Sequence, residues 1–227
     1  MSKFDEELLN LKGMVLKMGA MVESAIRDSV NSLVERDNEA AKKVIERDHQ
    51  VNALDVGIDE ECIRLIALRQ PMATDLRFIT TIMKITTDLE RMADQAVNIA
   101  ERALELNEEP LLKPYIDIPR MRELAQGMTK DALDAVVNRD SKLAMDVIMR
   151  DDEVDDLRYG IVEELVSYMV RDPATVFRAM KITFVAQYLE RIADHATNIA
   201  EMVIYLVEGK IIRHMALPEE NQVSDKK

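Results

Sequence analysis

Glu90, Asp94, Asn98 and Glu101 offer oxygen donors at spacings of 4, 8 and 11 residues from the first of them. On a helix that turns by about 100° per residue they stay within about 80° of one another and form one polar stripe. Leu89, Ala93, Val97 and Ala100 lie to one side, so the stripe borders an apolar face. It recurs at Glu190, Asp194, Asn198 and Glu201. Oxygen donors one helical turn apart beside a core suit a hard or borderline cation. The same acids would serve equally as partners for Arg91, Arg191 or the cations of a neighbouring helix. The pattern alone leaves both readings open. Duplication does not separate them, because a gene fusion copies structural ion pairs as faithfully as ligands.

Other reactive side chains carry less. Glu46 and His49 form an E-x-x-H string, but a carboxylate-bridged di-iron bundle needs that motif from each of two helices. The equivalents of Glu46 and His49 in the second half are Met149 and Asp152. His195 follows Asp194, yet its counterpart is Gln95, which favours a local contact over a ligand role. His214 falls in the terminal segment. Cys62, the only cysteine, cannot form an intramolecular disulfide and reads as a half-buried filler. There is no Gly-rich phosphate loop, no G-x-S-x-G and no zinc spacing. No catalytic arrangement emerges, so no enzyme is expected.

The elements that position the stripes are helices. All six prolines (Pro71, Pro110, Pro114, Pro119, Pro173, Pro218) stand where the apolar periodicity breaks. From Phe4 to about Glu35, Leu8, Leu11, Val15, Met18, Val22 and Ile26 recur at helical spacing. Asp37 and Asn38 then read as a turn and N-cap. A second helix is expected to Arg69, and a third from Ala73 to Leu106. Beyond a proline-bearing linker come a helix to Asn138, one from Ser141 to Arg171, and one that Asp172-Pro173 starts and Gly209 ends.

The two halves align throughout. Arg36-Asp37 matches Arg139-Asp140, and Arg47-Asp48 matches Arg150-Asp151, at an offset of 103. Beyond Pro71 the offset becomes 100, and Leu89 to Glu101 is identical to Leu189 to Glu201 at ten of thirteen positions. The expected architecture is all-α, with six long helices in two tandem three-helix bundles related by a pseudo-twofold axis. The first repeat is set at 1–109, the linker at 110–118, the second repeat at 119–217 and a disordered tail at 218–227. Gly57 and Gly160, matched within helices, suggest close helix approach. Met14, Met21, Met83, Met180 and Met202 fall at core spacings.

Composition narrows the function. A net charge of −13 opposes the phosphate backbone, so nucleic acid is excluded as a direct partner. The chain starts without a basic segment and apolar run, and Met202 to Val207 is far below the roughly 20 residues a membrane span requires. A cytoplasmic protein is expected.

With Glu90-Arg-Met-Ala-Asp94 and Glu190-Arg-Ile-Ala-Asp194 the chain resembles the PhoU family, which carries an E(D)-x-x-x-D motif in the third helix of each of two repeats. Pro71-Met-Ala73-Thr-Asp75-Leu76-Arg77 is similar to that family's entry into the third helix of the first repeat. The second copy departs from it, with Asp172-Pro173-Ala-Thr. The resemblance implies transition-metal ions (iron, manganese or zinc) on Glu90, Asp94, Glu190 and Asp194, with Asp75 a weaker addition. It also implies a negative regulator of phosphate uptake that relays the state of the phosphate-specific ABC transporter to a sensor histidine kinase. The implied partners are the transporter's ATPase subunit and that kinase. The protein is then a homodimer that reaches the membrane only through its partners. Two rivals stand beside this reading: a metal storage scaffold, and a carboxylate-bridged redox enzyme.

Overall fold

The structure, a computed structural model, describes residues 2–209. Helix α1 runs over Lys3–Val34, α2 over Asn38–Arg69, α3 over Ala73–Asn107 and α4 over Asp117–Asn138. Then follow α5 (Ser141–Met149), α6 (Asp151–Arg171), a 3-10 turn (Pro173–Thr175) and α7 (Val176–Glu208). Collinear in sequence and parted by Arg150 alone, α5 and α6 make up the fifth of six expected helices. No strand occurs among the described residues. The tail from 218 to 227, His214 and Pro218 lie outside them.

Local chemistry sets most ends. Ser2 and Asp5 form a reciprocal capping box at the start of α1. Asp37 accepts from the amides of Glu39 and Ala40, and Asp140 repeats this with Lys142 and Leu143. Just before each of these acids an arginine, Arg36 or Arg139, closes the preceding turn at φ 58° or 53°. Gly209 ends α7 at φ 73°, where a side chain would be strained. Asp172 caps a 3-10 turn rather than α7 directly, accepting from Ala174 N at 3.0 Å. The break between α5 and α6 has no counterpart in α2. Asp151, Asp152 and Glu153 put three acids in the first turn of α6, where the helix dipole favours them. The first copy has Asp48, His49 and Gln50 there.

Each repeat makes a three-helix bundle: α1, α2 and α3 pack together, and α4 and the α5–α6 rod pack on α7. The bundles also share a seam, with α3 against α7 and α1 against α4. Equivalent helices meet antiparallel there, as a twofold relation requires. Asp88 of α3 meets His195 of α7, and the Arg77 guanidinium lies over the Tyr205 ring at 5.5 Å. Between α1 and α4, Gly19 lets the helices close up, since a Cβ there would collide with Leu133 Cδ1. Leu89, Met92, Ile99, Leu189, Ile192 and Ile199 belong to one continuous core spanning both bundles. Each fully buried Leu or Ile contributes roughly 1.5–3 kcal/mol to burial.

The connection at residues 108–116 is fastened. Arg36 donates to the carbonyls of Asn107 and Glu109, and Lys181 bonds Glu109 at 3.0 Å and Glu105 at 3.4 Å. Lys113, almost wholly buried, pairs with Glu164.

Three expectations need correction. Gly57 and Gly160 do not mark close approaches: the first meets only Met14 Cε at 3.9 Å, and nothing lies within 4 Å of the second. Gly19, which has no glycine counterpart, does. Met202 is core and Met14, Met21 and Met83 pack partly buried against it, but Met180 is exposed. Cys62 is fully buried, and burial pushes its thiol up to about 12.

Candidate functional site

The central helices carry the two stripes, and each faces the outer helix of its own bundle. On α3, Glu90 is half-buried and Asp94 exposed; on α7, Glu190 and Asp194 repeat this. The α3 acids look toward Asp48 and Asp55 of α2. Loss of water and then the charges of Asp94, Asp55 and Asp48 hold the Glu90 carboxyl above its usual range. Asp94 is raised by burial and by Asp48. Four carboxylates thus border one groove between α2 and α3.

The α6/α7 groove is built alike but charged differently. Burial, followed by Asp194 and Asp155, raises Asp151 to about 6. Glu190 is raised by burial and Asp194, and Asp194 by burial and Asp155. Here a cation enters. Arg158 occupies the position equivalent to Asp55, with Nε 3.8 Å from Glu190 Oε1 and 3.7 Å from Asp155 Oδ1. Gln187 also donates to Glu190. The two stripes are nearly identical in sequence and both grooves gather acids from two helices, but only the α6/α7 groove is partly neutralised by an arginine.

The structure brings Glu90 together with Asp94, and Glu190 with Asp194, in separate grooves. Asp75 joins neither. It sits fifteen residues before Glu90 on the same helix, roughly 22 Å along the axis. Among the described residues no three His, Cys, Asp or Glu side chains converge closely enough to hold one metal ion as they stand. Asp48, Asp55, Asp151 and Asp155 were missed from sequence. A signal existed for the first and third, since Arg47-Asp48 and Arg150-Asp151 are a repeated pair. Asp48 also has one oxygen, Oδ1, buried without a hydrogen-bond partner, while Oδ2 accepts from Asn52 at 2.9 Å.

His195 points away from the acidic groove. Its Nδ1 lies 2.8 Å from Asp88 Oδ1 across the seam. His49 instead lies against its own backbone, with Nδ1 at 2.5 Å from the Glu46 carbonyl. No described helix is long and apolar enough to cross a membrane.

Comparison with known proteins gives the same outline. The family model described as "PhoU domain" matches twice, over residues 15–103 and 118–203. A phosphate-specific transport system accessory protein PhoU homolog of Aquifex aeolicus is 46% identical over 220 residues, covering 97% of this chain and all of that one. The Pseudomonas putida homolog is 42% identical, covering 95% of this chain and 84% of its own. The crystal structure of PhoU from Pseudomonas aeruginosa superposes with a TM-score of 0.88 at 42% identity, covering 92% of this chain and all of that one. The phosphate transport system regulatory protein PhoU from Streptococcus pneumoniae gives 0.86 at 31% identity, over 92% and 99%. Both repeats and the helical fold are therefore shared along nearly the whole chain, which belongs to the PhoU family.

Proposed function

We propose that this protein is a regulatory accessory component of phosphate-specific transport, and not an enzyme. It restrains phosphate uptake by relaying the state of the ABC transporter, through its ATPase subunit, to a sensor histidine kinase. The observation that carries this reading is the match of both repeats, over almost the full chain, to accessory proteins of that transport system. An acidic helical body fits an adaptor that docks on basic partner surfaces. In this reading the protein is a cytoplasmic homodimer, drawn to the membrane by its partners.

The same reading assigns a cation to the acidic grooves. The α2/α3 groove fits one in donor chemistry: Glu90 and Asp94 are partly desolvated and face the like charge of Asp48, whose Oδ1 lacks a hydrogen-bond partner. Glu90, Asp94, Asp48 and Asp55 would hold an iron, manganese or zinc ion there. Glu190 and Asp194 would form a weaker site, because Arg158 already supplies positive charge. Asp75 is too far along α3 to share either. The ion would supply charge that fastens α2 to α3; the chain's own residues hold the helices in register.

Deletion of the gene should derepress phosphate-responsive transcription, and complementation with the wild-type gene should restore repression. Unchanged uptake and transcription in the deletion strain would overturn the regulatory reading. For the cation, elemental analysis of protein purified without tag or chelator is decisive. A metal-free protein whose melting temperature ignores added iron, manganese and zinc would leave the acids purely structural.

A further inference from the structure

The first bundle holds a half-open pocket of about 510 Å³ between α1, α2 and α3. That volume is of the size that takes small organic ligands. Val44, Val51 and Ala93 are buried and form its floor, with Met21, Ala25 and Ala40 along the sides. Lys43 and Arg47 stand one helical turn apart on its exposed rim. Neither has an ion-pair partner among the described residues. Two acids also line the space. Asp28 is engaged by Ser24 Oγ at 3.1 Å and Arg27 Nε at 3.0 Å, and Asp48 belongs equally to the α2/α3 groove.

The second bundle supplies an internal control, since its equivalent positions are known. Met128 replaces Ala25 and Leu143 replaces Ala40; Met128 is fully buried and Leu143 packs on the core. Asp146 replaces Lys43. Arg150, the equivalent of Arg47, is held by Asp131 at 2.6 Å and Asp146 at 3.2 Å. One copy thus has larger apolar side chains and a closed ion pair, while the other has two alanines and two free cations. An exposed cation needs no explanation alone. Two of them over an apolar space do: Asp146 is Lys43 in this copy, and Asp28, the equivalent of Asp131, is engaged by Ser24 and Arg27 instead.

The geometry points to a binding site for an organic anion in the first bundle, with a carboxylate or phosphate monoester at Lys43 and Arg47 and an apolar body against Val44, Val51 and Ala93. Arginine and lysine together recognise such headgroups by charge-assisted hydrogen bonds. The apolar walls select against bare inorganic phosphate, which would leave most of the space empty. The site does not depend on the regulatory reading or on metal in the grooves.

Thermal shift and calorimetric titration of the full chain, in chelator, test this with four probes: phenyl phosphate, phenylacetate, inorganic phosphate and benzylamine. Wild type should bind one or both of the aromatic anions saturably and raise its Tm, and the stronger of the two identifies the headgroup. Inorganic phosphate and benzylamine should be at least about tenfold weaker. K43A/R47A, at exposed positions, should weaken binding about tenfold or more. A25M/A40L, which installs the side chains of the second copy, should abolish it while circular dichroism remains helical. The site is overturned if wild type binds neither aromatic anion, if A25M/A40L binds as well as wild type, or if phosphate or benzylamine binds as well as the anions.

Discussion

His195 Nδ1 lies 2.8 Å from Asp88 Oδ1, with only 15% and 11% of their side chains exposed, and this contact joins the central helices of the two bundles. Removing one partner leaves the other desolvated and unpaired. H195A should therefore cost about 1–3 kcal/mol in urea unfolding. In a double-mutant cycle with D88A, the double mutant should lose less than the sum of the singles. Additive losses would mean the two residues contribute separately.

Asp55 and Arg158 hold equivalent positions with opposite charge, so exchanging them should exchange the character of the grooves. R158D should lower Tm in chelator and acquire a stabilising response to manganese or zinc. D55R should raise Tm in chelator and blunt the response of the α2/α3 groove. Identical metal responses in wild type, D55R and R158D would sever the link between these residues and cation binding.

The Asp151 carboxyl is raised to about 6 from an ordinary 3.8, chiefly by burial. The folded state binds this proton more tightly than the unfolded chain. Its contribution is therefore full below about pH 4, is lost as pH rises through about 6, and is flat above that. Glu90, Asp94, Glu190 and Asp194 act in the same direction. In chelator, D151N should be more stable than wild type at pH 7, on the order of 1 kcal/mol, and the gap should vanish near pH 4. A constant gap across that range would show that Asp151 titrates normally.

Gly19 and Gly160 should respond oppositely to alanine. At Gly19 a Cβ meets Leu133 Cδ1, so G19A should destabilise by about 1–3 kcal/mol, and L133A should relieve part of the loss. At Gly160 the surroundings are open, so G160A should gain roughly 0.5–1 kcal/mol from helix propensity. Urea midpoints of the three variants decide this.

The helices were legible because their apolar spacing and caps are local: Asp37, Asp140 and Gly209 act within a few residues of themselves. The repeat and the stripes were legible for the same reason. The facing acids were not, because Asp48 and Asp55 reach Glu90 only once α2 folds back on α3. Matching Asp55 with Arg158 needs the register of the two copies, and the sign change carries meaning only when both are seen facing carboxylates. Gly57 and Gly160 misled because a matched glycine marks shared ancestry as readily as close packing. Gly19 was overlooked because its collision partner, Leu133, belongs to the other repeat. Asp75 entered through a motif whose helix carries it well away from the acids it was grouped with.

The shared seam also bears on ancestry. A chain carrying one repeat would expose the side of α3 that here packs against α7. Such a chain could bury it by meeting a second copy about a twofold axis, with the two helices antiparallel, as an isologous dimer. The duplicated gene then reads as a dimer fused into one polypeptide. Fusion freed the halves to diverge, since a mutation no longer appears on both sides of the axis. The first copy has Asp55, Ala25 and Ala40 where the second has Arg158, Met128 and Leu143, so charge and interior volume differ between halves that share one fold.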